Sequence, residues 1–136
     1  MNHHEILEHT ADVGIKATGD TLEACFEQAT RGLTAIIGID RPGEGERLTI
    51  DVRADDLGAL LVDWLSEILY LHDARDALIA GVEVDSVTND HATGTVVLVP
   101  RGGSPVEGTQ VKAITFHKLS VRETPEGFVA EVYLDV

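Results

Sequence analysis

Two carboxylates near opposite ends of the chain, Asp12 and Asp135, have the residue type and setting for chemistry. Asp12 lies in His9-Thr10-Ala11-Asp12-Val13-Gly14-Ile15, where an extended stretch carries an acid and then a glycine. A glycine there lets the backbone approach something closely. The chain closes as Phe128-Val129-Ala130-Glu131-Val132-Tyr133-Leu134-Asp135-Val136, strand-like to the last residue. Termini fray unless something holds them. A carboxylate on Val136 would stand one residue from the Asp135 side chain. Hard oxygen donors gathered at one point call for a cation or a basic partner. Solvated acids at a chain end are the plainer alternative. Lys112 opens the stretch Lys112-Ala113-Ile114-Thr115-Phe116-His117. If the last two strands form a hairpin about Pro125-Glu126-Gly127, residues 113–115 pair close to Asp135, and Lys112 comes to the same end of the sheet. It either pairs with a carboxylate there, offers a cation to a ligand, or is an ordinary surface lysine.

Other candidates carry less. His72, Asp73 and Asp76 cluster after a helix, and His72 and Asp76 are four residues apart, a spacing open to a metal. A polar helix end accounts for them better, since histidine suits the C-terminal dipole. Cys25 lies among Leu22, Phe26 and Ala29 and reads as a small core residue, not a nucleophile. No P-loop, G-x-G-x-x-G or G-x-S-x-G pattern occurs. One Cys and six scattered His give no zinc spacing.

The elements that must position these residues follow from periodicity. Residues 5–18 read as extended, with Val13, Ile15 and Ala17 alternating against Asp12, Gly14 and Lys16. Such a strand puts Asp12 and Lys16 on its wetter face. Residues 21–37 read as a helix with an apolar stripe of Leu22, Cys25, Phe26, Ala29, Leu33, Ile36 and Ile37. Asp20 and Glu23 have capping-box spacing, and Gly38 is a stop. Arg47–Arg53 alternates as a strand. A stronger helix spans about 56–72, with Leu57, Leu60, Leu61, Trp64, Leu65, Ile68 and Leu69 on its apolar face and Asp55 or Asp56 as cap. Two or three strands fill 78–100 with a turn at Asn89-Asp90, and two more cover about 111–122 and 127–136. Asp40–Glu46 and Arg101–Gly108 read as loops. Hairpin-spaced strands imply mainly antiparallel sheet, so the expected fold class is α+β, one domain over 1–136 with two main helices.

The chain has 24 acids against 10 bases, a formal charge of −14. That argues against strong direct binding to nucleic acid or an anionic membrane, where Lys and Arg supply affinity. It favours a basic protein partner, or simply solubility. No apolar run approaches ~18 residues and no secretory leader is visible, so the expected location is cytoplasmic.

Three blocks carry a resemblance: HTADVGI at 9–15, LLVDWLSEILYL at 60–71, and KAITFHKLSV at 112–121 with the ending EVYLDV at 131–136. In order and spacing the chain resembles the archease family over nearly its whole length. The resemblance implies a non-enzymatic activator of an RtcB-type RNA ligase, the enzyme that joins 2′,3′-cyclic phosphate or 3′-phosphate ends to 5′-hydroxyls in tRNA splicing. The activator promotes GTP-dependent guanylation of the ligase and multiple turnover. It further implies a divalent metal site, Ca²⁺ with Mg²⁺ or Mn²⁺ as alternatives, made by Asp12, Asp135 and the terminal carboxylate of Val136. Lys112, His117 and His9 match function-supporting positions of the same blocks. Phe116 stands where many relatives resemble KAITYH, so a role needing a phenol there is in doubt. The rival expectations are a metal-dependent phosphoester hydrolase, with His117 or Glu131 as base, and a general chaperone-like binding module.

Overall fold

The computed structural model describes residues 2–8, 12–38, 45–100 and 108–136. In chain order these form β1 (His3–Glu8), β2 (Asp12–Gly19), α1 (Leu22–Ile37), β3 (Glu46–Arg53), α2 (Leu57–Ala74), β4 (Ala77–Val87), β5 (His91–Pro100), β6 (Ala113–Thr124) and β7 (Gly127–Asp135). The strands make two antiparallel sheets, one ordered β1-β2-β7-β6 and the other β3-β5-β4. The α+β class with two main helices is as expected.

Both helices touch both sheets, and the core forms between them. In β2 and β7 the alternation works as read: Ile15 and Ala17 face Val132 and Ala130 across the strand pair, all four buried. Helix α1 lies close on this face. A methyl group added at Gly32 would come within 2.8 Å of Ile15 Cγ2, so the missing side chain sets the approach of α1 to β2. Trp64 of α2 is fully buried. Its Nε1–H donates to Thr30 Oγ1 at 2.9 Å, and that hydroxyl donates to the Phe26 carbonyl at 2.8 Å. The largest aromatic in the core is thereby satisfied by α1, tying the helices together.

The structure corrects several local expectations. The extended stretch at 5–18 is two strands, because its first part turns back to pair with its second, Ile6 against Ile15. The cap of α1 is Thr21, whose Oγ1 accepts from the Ala24 N–H at 3.0 Å. Glu23 reaches instead to β4, accepting from the Val87 N–H at 2.8 Å. A tertiary donor has outcompeted the local capping box. Asp56 caps α2 as read, accepting from the Ala59 N–H at 2.8 Å. Gly38 ends α1, donating to the Thr34 carbonyl at 3.1 Å. His72 is buried, and its Nδ1 donates to the Ala77 carbonyl at 2.6 Å, so it serves as a structural closure of the α2 end. The loop expected at 101–108 lies, apart from Gly108, outside the described residues, as does most of the one at 40–46.

The last hairpin turns between Thr124 and Gly127, which pair directly. Gly127 has φ +138°, and a Cβ there would meet the Gly19 carbonyl at 2.4 Å, so glycine is required twice over.

Candidate metal site

β7 lies between β2 and β6, and its end gathers the predicted residues. Asp135 is the direct cross-strand partner of Asp12 on one side and of Ala113 on the other. Direct antiparallel partners on one face have Cβ atoms about 4.5–5.5 Å apart, and like charges in that relation repel. Asp12 and Asp135 therefore form a pair that a cation between them would stabilise. The physical cause lies in the alternation. Val13 and Leu134 turn to the core, which forces their neighbours Asp12 and Asp135 onto the opposite face.

Asp135 is exposed and Asp12 half-buried. The side chain of Val136 packs against the core, so the residue after Asp135 is anchored. A carboxylate on its main chain would then lie beside the Asp135 side chain. These are hard oxygen donors, the set that suits Ca²⁺ or Mg²⁺. Among the described residues, no three His, Cys, Asp or Glu side chains come together as a metal-holding group. The two aspartates would thus need a main-chain carboxylate, water or a partner group to complete a coordination shell.

Lys112 joins this end through its backbone: its N–H donates to the Asp135 carbonyl at 2.7 Å. Its side chain is exposed and makes no ion pair with another described residue. Ala113 pairs with Asp135, inside the expected range. It does so because β6 carries extra residues: Thr115 pairs with Tyr133 but Ser120 with Glu131, so residues 116–119 bulge out. Lys118 takes φ +53° in this bulge, the left-handed region that few non-glycine residues occupy. Bulges of this kind re-aim side chains.

His117 stands on the bulge, exposed, with its ring edge-on to Tyr133 at 6.4 Å between centroids. Its N–H donates to Thr115 Oγ1 at 3.3 Å, and that hydroxyl donates to the Tyr133 carbonyl at 3.1 Å. His117 is therefore held on the same sheet face as the aspartates but one strand period back, beside Tyr133 and not in the Asp12–Asp135 row. Tyr133 and Lys118, whose Nζ lies 6.0 Å from the Tyr133 ring centre, were not singled out from sequence. The i, i+2 spacing of Tyr133 and Asp135 in a strand was the available signal for the first. The left-handed Lys118 had none. His9 lies outside the described residues.

The sequence profile of the archease protein family (MTH1598/TM1083) matches residues 4–136. The chain belongs to the archease family. It is 34% identical over 142 residues to the archease of Methanosarcina mazei, covering 98% of this chain and 95% of that one. It is 35% identical over 135 residues to the archease of Thermococcus kodakarensis, covering 93% of each. Among solved structures, the solution structure of Methanobacterium thermoautotrophicum protein 1598 superposes with a TM-score of 0.81 at 29% identity, over 98% of both chains. The crystal structure of a Thermotoga maritima archease, described as a possible chaperone, shares the fold with a TM-score of 0.68 at 20% identity, over 96% of this chain and 94% of that one. Among the described residues no helix is long and apolar enough to cross a membrane.

Proposed function

We propose that this archease activates an RtcB-type RNA ligase in the cytoplasm, promoting GTP-dependent guanylation of the ligase and multiple turnover, and is not itself an enzyme. Family membership supports the activator role. The single observation that carries the site is the cross-strand pairing of Asp12 with Asp135. Asp12, Asp135 and the main-chain carboxylate of Val136 would hold one divalent ion, Ca²⁺ or, in second place, Mg²⁺ or Mn²⁺. A bound divalent cation supplies a concentrated positive charge at an otherwise acidic tip.

The chain's own residues do the rest. Val136 packed against the core, the Lys112–Asp135 backbone bond and the Asp12–Asp135 strand pairing hold the tip, which lowers the ordering cost of binding there. A formal charge of −14 favours approach to a basic cleft. Lys112 stands exposed beside the tip, available for an acidic or phosphate group of the partner. His117 supports the same face through Tyr133.

A time course of ligase guanylation with GTP, with and without this protein, tests the role. Acceleration and repeated turnover are expected; identical time courses would refute it. Phosphoester hydrolysis by the purified protein alone would support a hydrolase instead.

A further inference from the structure

The charge of this chain is unevenly placed. From Gly108 to Arg122 there is no acidic residue, although the whole chain has 24. The same stretch holds Lys112, His117, Lys118 and Arg122. Lys112 stands just before β6 (Ala113–Thr124), and the other three lie on it, an edge strand of the four-stranded sheet that carries one acid, Glu123, at its far end. All four of these side chains are exposed, and none makes an ion pair with another described residue. In the middle of them Phe116 holds its ring out, 63% exposed, on the bulge that the left-handed Lys118 closes.

We propose that β6 is a binding strip for single-stranded RNA, with the cations on successive phosphates and Phe116 stacking on a base. The length fits. From the Asp135 row to the Val129 row, where Arg122 pairs, the strand covers roughly 20 Å at ~3.3 Å per residue. That spans a few nucleotides of extended backbone. A lysine-bearing edge also blocks unwanted strand pairing, but that purpose gives no use to an exposed phenyl ring. An acidic peptide would be met by the cations alone and would leave the ring idle as well. A duplex offers no free base face. Unpaired bases use both parts: charge tracks the backbone and the ring takes a base. Lys118 and His117, both against Tyr133, are positioned by that ring on the same side of the sheet.

The remaining acids repel a polyanion, so affinity is modest and strongly salt-dependent. With three permanent cations, Lys112, Lys118 and Arg122, a tenfold rise in salt costs about a hundredfold in affinity. The strip does not depend on the ligase reading, and its test needs no ligase.

The test is an NMR titration of the ¹⁵N-labelled full chain with oligouridylate at low salt, with poly-glutamate in parallel. Expected are shifts confined to Lys112, β6 and Tyr133, about tenfold weaker binding for Phe116→Ala, and loss of binding for Lys118→Glu with Arg122→Glu. Both sites are exposed, and retention of the remaining amide pattern verifies that the variants fold. No shifts on β6, unchanged affinity in Phe116→Ala, or equal shifts with poly-glutamate would overturn the proposal. Failure here leaves guanylation untouched, and failure of guanylation leaves this strip untouched.

Discussion

Asp12 and Asp135 are direct partners across adjacent antiparallel strands, and the main-chain N–H of Lys112 holds the Asp135 carbonyl from the other side at 2.7 Å. Two like charges in that relation repel, so the proposed metal site should report on itself through stability. In EDTA, Asp135→Asn should be more stable than wild type by about 0.2–1 kcal/mol, as opposed like charges cost. Added Ca²⁺ should raise the wild-type melting temperature by mass action and leave the variant unmoved. Thermal melts in both conditions check this; a wild type indifferent to Ca²⁺, Mg²⁺ and Mn²⁺ alike would remove the site.

A buried polar chain, Trp64 to Thr30 to Phe26, joins the helices. Thr30→Val keeps the shape but strands the indole N–H in the core. The expected cost is about 1–3 kcal/mol. Urea unfolding should show a lower midpoint with an unchanged slope.

Burial pushes the Cys25 thiol up from 9.0 to about 11, with a backbone hydrogen bond from Ala130 pulling slightly the other way. The folded thiol therefore stays neutral where an unfolded one ionises. Its contribution to stability is full below pH 9 and is lost as pH rises toward 11. Relative to Cys25→Ala, wild type should lose stability across that window. Thiol alkylation at pH 8 should be slow in the native protein and fast in denaturant; rapid native labelling would contradict the buried assignment.

Gly94 in β5 leaves room for two neighbours at once. A Cβ there would stand 2.3 Å from the Glu83 carbonyl and 2.8 Å from Trp64 Cη2. Neither the backbone nor a fully buried indole can give way cheaply. Gly94→Ala should lose roughly 1–3 kcal/mol or more, seen as a drop in melting temperature, whereas a neutral result would mean the sheet can shift.

Much of this was legible in the residues. The alternation of Val13, Ile15 and Ala17 placed Asp12 on the wetter face, and the apolar stripe of Leu60, Trp64 and Leu65 marked α2. Ala113 fell opposite Asp135 as expected, but a plain count from the Thr124–Gly127 turn would put residue 116 there. The difference is the bulge at 116–119, with Lys118 in the left-handed region, which no periodicity announces. The same limit hid the Glu23–Val87 bond, where a distant donor took a side chain that local spacing assigned to a cap. The pairing of Asp12 with Asp135 was implied by family resemblance, because nothing in either segment alone reveals its neighbour in the sheet.

The central claim is that the Asp12–Asp135 tip is what activates the ligase. Its most direct test is the rate of ligase guanylation with Asp135→Asn, set beside wild type at matched concentration and verified fold. Wild type should accelerate guanylation and the variant at least tenfold less, the order of a lost charge-assisted contact. Equal acceleration by both would contradict it.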